Sequence, residues 1–156
     1  MVVACRTCEL VERRDRGEAP AWDQILRTES WDLVHCYGTS VEGWLVLVCR
    51  AHRTALADLT EAEAAELGPL LKLTSAALGE CLDSVKTYAV QFAEHPKHPH
   101  VHFHVIPRGA DLPEDSRGPR IFDRLGVPDG EAVAEERMSE VASLIADYFE
   151  RAPFRG

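Results

Sequence analysis

Three patterns of apolar and polar positions divide the chain. Trp44 to Arg50 (WLVLVCR) is a continuous apolar run, as expected of a central strand covered on both faces. Val85 to Ala93 (VKTYAVQFA) and His100 to Ile106 (HVHFHVI) alternate, which predicts two strands. Thr60 to Cys81 carries leucines in a helical stripe and opens on Thr60 with Glu63 three residues later, a capping box, so this segment predicts a long helix. Asp23 to Glu29 and Trp31 to Tyr37 read as two strands around a tight turn, and Gly38 to Gly43 as a turn-rich connection. Residues 9–21 read as a short helix and a loop ending at Pro20. Residues 109–130, rich in Gly and Pro, read as a long irregular segment, and Glu131 to Phe149 as a C-terminal helix. Strands, helix, strands, helix with short connections predict an α+β fold with antiparallel strands.

Composition bounds the function. The chain has 156 residues, 46% of them hydrophobic, which predicts one domain over 1–156 with its own core. A net charge of −9 argues against a general binder of nucleic acid or anionic membranes, and a phosphate-bearing ligand needs a local exception to that field. No apolar run approaches the ~18–20 residues that span a bilayer. The start, Met1-Val2-Val3-Ala4-Cys5, lacks the charged and apolar segments of a signal peptide. Five cysteines, an odd count, fit a reducing compartment better than a disulfide framework. The expected location is the cytoplasm.

The local exception is His95 to Arg108 (HPKHPHVHFHVIPR), which holds five of the seven histidines and no Asp or Glu. On one strand His100, His102 and His104 would share a face while Val101, Phe103 and Val105 point to the core. Burying three imidazoles has a solvation cost. The pattern suits metal ligation, or attack on phosphorus by a neutral imidazole whose other nitrogen is held by a hydrogen bond. A lone strand histidine such as His35 reads instead as a structural hydrogen-bond partner.

HVHFHVI, residues 100–106, resembles the His-φ-His-φ-His-φ-φ signature of the histidine-triad (HIT) superfamily of nucleotide hydrolases and nucleotidyl transferases. The order of elements from the apolar strand ending in a histidine (WLVLVCRAH, 44–52) through the triad is similar too, over about residues 4–108. The resemblance implies an antiparallel meander sheet of about five strands, one long central helix, a C-terminal helix and a homodimer. It makes His102 the nucleophile that forms a nucleotidyl-imidazole at an α-phosphate. His104 would orient His102 or stabilise phosphoryl oxygens. It places Gln91, Lys97, His100 and His104 on the phosphate side.

Cys5-Arg-Thr-Cys8 is a CxxC that by itself reads as a redox pair, half a zinc site or chance. Zinc-bearing members of the superfamily pair a CxxC with two histidines. The resemblance thus implies a structural zinc, one per chain, on Cys5, Cys8, His52 and His100. Cys36, Cys49 and Cys81 read as core residues.

The chain departs from the family pattern in three places. Residues 92–99 (FAEHPKHP) lack the Gly, Ser or Thr of the usual phosphate loop, with Lys97 near the hydroxyl position. Gly43-Trp44 stands where a Gly-His pair usually opens the central strand, and Cys36 stands near the usual ribose-binding Asp or Asn. Three functions follow for test: covalent nucleotide hydrolysis or transfer through His102; a non-catalytic nucleotide-binding protein of the same fold; or a metal-dependent hydrolase with the three triad histidines as ligands.

Overall fold

The computed structural model describes residues 4–155; the first three residues of the start judged above lie outside them. Ten residues, Arg6–Asp15, form α1, with Cys5 at its N-cap. A 3-10 turn at Ala21–Asp23 leads into β1 (Leu26–Arg27), β2 (Trp31–His35) and β3 (Leu45–Cys49). The long helix α2 (Glu61–Leu82) follows, then β4 (Lys86–Val90), β5 (His102–Arg108) and α3 (Glu135–Arg151). The capping box at Thr60 is present: its hydroxyl accepts from the Glu63 N–H while the Glu63 carboxylate accepts from Thr60 N–H.

All five strands are antiparallel to their neighbours, in the order β1-β2-β3-β5-β4. The first three make a meander. The chain then crosses through α2 to the sheet edge, and β5 returns between β3 and β4. This puts the histidine strand beside the apolar strand, with Val48 opposite His102 and Val46 opposite His104.

Both faces of the sheet are covered. One carries Trp31, Leu33, Leu45, Leu47, Val101 and Val105, packed with Leu70 and Leu78 of α2 and Val141 and Ile145 of α3. The other carries Val34, Val46, Val48 and Ile106 with Val11 of α1, Trp44 and Ile121. Every residue of β3 is buried, as its unbroken apolar run requires.

Several boundaries differ from the pattern-based reading. The segment 23–29 is mostly turn, because Asp23 is drawn into ion pairs with α1 and only Leu26 and Arg27 pair with β2. The N-terminal helix begins at Arg6, before the predicted 9–21 segment, and α3 begins at Glu135, past a turn at 128–132. Residues 109–130 contain 3-10 turns at Glu114–Ser116 and Gly118–Arg124, and Phe122 and Leu125 of this segment pack on the second face. The histidine strand begins at His102. Val101 N–H bonds to the Arg53 carbonyl, and His100 sits in the bend before the ladder.

Candidate active site

Alternation along β5 sends His102 and His104 into a cavity of about 500 Å³ on the second face of the sheet. Val34, Val46 and Val48 make an apolar floor. Thr7, Leu10 and Arg14 of α1 form one wall; Tyr37, Gly38, Phe122 and Leu125 form another; His95 and His98 stand beside the triad. The volume suits a mononucleotide-sized ligand, in the range of ~300–1,000 Å³ common for small-molecule sites.

His102 Nδ1 lies 2.6 Å from the His100 carbonyl oxygen. A carbonyl only accepts, so Nδ1 carries the proton and Nε2 keeps its lone pair. Burial lowers the pKa of His102; the backbone bond opposes this and His95 adds to it. His104 is pushed down to about 3 by burial and by His102. The rings of His102 and His104 meet edge-on with centroids 5.0 Å apart.

His100 turns away from the cavity. Its Nε2–H donates to the Cys49 carbonyl at 2.6 Å, which leaves Nδ1 as a ligand atom. Nδ1 lies 3.6 Å from Cys5 Sγ, 3.5 Å from Cys8 Sγ and 3.3 Å from His52 Nδ1, with Cys8 Sγ 3.2 Å from His52 Nδ1. A tetrahedral zinc with Zn–S of about 2.3 Å and Zn–N of about 2.0–2.1 Å holds S and N ligands about 3.6 Å apart and two N ligands about 3.3 Å apart. The four residues fit such an ion, and they are the one His/Cys/Asp/Glu cluster able to hold a metal among the described residues. Burial and Cys5 push the Cys8 thiol up to about 11, so a bound cation is what would make a thiolate favourable there.

The structure places three of the expected phosphate contacts, His100, Lys97 and Gln91, outside the cavity lining. His100 has both nitrogens engaged and does not line the cavity, so it is not placed to bind phosphate, and the three triad imidazoles do not converge on one metal. Lys97 is exposed. Its carbonyl accepts from Arg6 N–H at 2.8 Å, which ties the loop to α1 with His95 and His98 facing the cavity in its place. Gln91 follows Val90, the partner of His104, and so falls on the opposite side of the alternation, outside the cavity lining. His35 is structural, as expected: Nδ1–H donates to the Cys36 carbonyl and Nε2 accepts from Gly43 N–H.

Two sets of cavity residues escaped the sequence reading. His98 is hydrogen-bonded to Thr7 Oγ1 through Nδ1 at 2.9 Å, and His95 stacks near it at 5.4 Å. Arg14 is buried; its Nε donates to Asp32 and its Nη1 to Asp23, while Nη2 has no partner among the described residues. The spacing Thr7, Leu10, Val11, Arg14 is a helical stripe, the signal that places Arg14 on the inward face of α1.

A HIT domain family model matches residues 27–111, more than half of the chain. The chain belongs to the HIT family. Its fold is similar to that of a zinc-bound histidine triad family protein from Mycobacterium smegmatis: TM-score 0.65, 19% identity, over 95% of this chain and 94% of that one. It is similar also to a hypothetical histidine triad nucleotide-binding protein from Sulfolobus tokodaii, with TM-score 0.66 and 17% identity over 92% of this chain and 93% of that one. A third similar fold is the diadenosine triphosphate hydrolase of Plasmodium falciparum in complex with Cyclomarin A: TM-score 0.61, 18% identity, 81% and 76% covered. A search of curated proteins finds no match. No helix among the described residues of this HIT protein is long and apolar enough to cross a membrane.

Proposed function

We propose that this protein is a nucleotide phosphohydrolase or nucleotidyl transferase acting at an α-phosphate through a covalent intermediate on His102. The observation that carries the reading is the tautomer of His102: Nδ1–H held by the His100 carbonyl, Nε2 free, in a side chain that lines the cavity. Its Nε2 lone pair attacks phosphorus, the bond to the leaving group breaks with its electron pair leaving on that group, and water or another acceptor then displaces the imidazole. The apolar floor takes the nucleobase. Arg14, with a guanidinium nitrogen to spare, and Asp23 offer a polar edge to it; His95, His98 and His104 face the phosphates.

A structural zinc on Cys5, Cys8, His52 and His100, one per chain, would fasten α1 to the residue whose carbonyl holds the nucleophile. All five cysteines are free, which suits thiolate ligands in a reducing cytoplasm. The working unit is a homodimer, by analogy with the family.

The test is to incubate the protein with a pool of nucleotides, dinucleoside polyphosphates and nucleoside phosphoramidates, quench in alkali, which spares a phosphoramidate, and record intact mass beside His102→Ala. A nucleotidyl adduct in wild type and none in the variant supports the reading and identifies the nucleotide by mass. Nucleotide binding with no adduct and no turnover would replace it with the binding-protein reading, for which the loop at 92–99, without Gly, Ser or Thr, is the physical motive.

A further inference from the structure

Trp44 stands just before β3 and is fully buried. Its Nε1–H donates to His104 Nδ1 at 3.0 Å, and the two rings meet edge-on at 5.6 Å with an interplanar angle of 87°. An indole nitrogen donates and never accepts. His104 Nδ1 therefore presents its lone pair to Trp44, and the one proton of the neutral ring sits on Nε2. That atom has no protein partner among the described residues, and the side chain lines the cavity.

The rest of the surroundings agrees. Phe122 packs edge-on against His104 at 5.3 Å, and Val90 of β4 and Val46 of β3 flank it in register. The titratable ring that faces it is His102 on its own strand; no carboxylate lies within hydrogen-bonding distance among the described residues. Protonating Nδ1 would set an N–H against an N–H and break the Trp44 bond. The histidine that the family pattern places at 44 could donate or accept, so it would leave the tautomer of His104 open; tryptophan closes that choice.

We propose that Trp44 is a positioning residue that fixes His104 as the neutral Nε2–H tautomer, a hydrogen-bond donor to a non-bridging oxygen of the α-phosphate and not a carrier of protons. The phosphate role of His104 rests on the function proposed above; the tautomer does not. In the attack step His102 Nε2 bonds to phosphorus, the leaving group departs with its electron pair, and His104 keeps its proton throughout, shortening its hydrogen bond as charge builds on the equatorial oxygens.

The test uses ¹⁵N-labelled full-length protein with zinc added. Long-range ¹H–¹⁵N correlation spectra assign the rings, with His104→Gln to identify the His104 signals. The expected spectrum has His104 as a single Nε2–H tautomer, unchanged from about pH 8 to about pH 5, across the range where an ordinary histidine titrates. An Nδ1–H pattern, or a protonation step inside that range, overturns the proposal on wild type alone, whether or not any variant folds. Trp44→Phe keeps an aromatic ring and removes the donor. If it keeps the wild-type fold by its amide spectrum, His104 should lose its single tautomer and show both Nδ1–H and Nε2–H forms. The rate of adduct formation should fall about tenfold at saturating nucleotide, the effect of one lost hydrogen bond. A folded Trp44→Phe protein whose His104 spectrum matches wild type also overturns the proposal. Absence of adduct with every nucleotide, beside an Nε2–H spectrum, overturns the catalytic reading and leaves the tautomer assignment standing.

Discussion

His100 and His102 are two residues apart, and each has one ring nitrogen tied to a backbone carbonyl, yet their free nitrogens meet different company. His100 donates Nε2–H to Cys49 and turns Nδ1 toward Cys5, Cys8 and His52, a closed cluster at the start of α1. His102 donates Nδ1–H to His100 itself and turns Nε2 toward an open cavity. The device is the same: a carbonyl selects the tautomer and aims the remaining lone pair. What differs is the register. His100 lies in the bend before the ladder, at the end of the loop that packs on α1; His102 is the first residue paired with β3. One strand end thus presents a candidate metal ligand and a candidate nucleophile, and neither consumes the other's free nitrogen.

The sharpest way to break this comparison is to remove the anchor alone. Cys8→Ser should take zinc content, read by atomic absorption, from one per chain to none, and lower the melting temperature by about 10 °C, equivalent to about 3 kcal/mol. His102→Ala should leave zinc content at wild type. If His102→Ala also releases zinc, the two ends are one metal site rather than two.

The wall that α1 contributes gives a smaller effect. Arg14 spans Asp32 and Asp23 with separate nitrogens, at 2.8 and 2.9 Å, and both carboxylates are buried. Arg14→Lys keeps the charge but offers one compact ammonium in place of a planar fork. The expected cost is about 2 kcal/mol in chemical denaturation, with weaker nucleotide binding and an unchanged zinc content. Equal affinity in wild type and variant would place the nucleobase elsewhere.

What the sequence disclosed follows from how local each signal is. Period-two alternation at 100–106, the unbroken run at 44–50 and the capping box at Thr60 are written within single segments, and each led to an element near its predicted place. The Cys5, Cys8, His52, His100 cluster became readable through family resemblance, since nothing in the spacing of Cys8 and His52 says that a strand and a helix start converge. Lys97 reads as a phosphate contact from its charge at a motif position. Its fate was decided by a backbone bond from Arg6, which no side-chain pattern reveals. Arg14 falls in the segment 9–21, which reads only as a short helix and a loop, because its partners, Asp23 and Asp32, lie outside that helix.

Acid titration sharpens the contrast between the open cavity and solvent. The folded pKa of His104 is about 3, below its ordinary value of about 6.5. Above about pH 6.5 the ring is neutral in both states, and its contribution to stability is fully present. Below that the unfolded chain takes up a proton that the folded chain refuses, so stability falls by about 1.4 kcal/mol per pH unit from this group until the folded pKa is reached. Glu63, held below the usual carboxylate range by hydrogen bonds from Arg53, loses its contribution only at more acid pH, below about 4.3. Between about pH 6 and pH 5, the slope of stability against pH should therefore be shallower in His104→Gln by close to one proton. An unchanged slope would show that His104 titrates as an ordinary surface ring.

The smallest effect concerns the segment where this chain departs most from the family pattern. Ala93, just after β4, is buried and holds φ at 56°, a left-handed conformation that a Cβ disfavours by about 1–2 kcal/mol. It is the second residue of the stretch 92–99, which has no glycine. That backbone must turn sharply there so that His95 and His98 reach the cavity while Lys97 meets α1. Ala93→Gly relieves the strain but loses one buried methyl group, worth about 0.8 kcal/mol, and gives the unfolded chain more freedom. Strain relief at a positive φ outweighs the entropy term, so the melting temperature should rise by about 2 °C. Adduct formation at His102 should not change, because the turn delivers the imidazoles to the same places. A fall in melting temperature would mean that the packed methyl dominates. A fall in adduct rate at higher stability would mean that the strained turn holds His95 and His98 against the phosphates, extending the open end of the comparison into the loop.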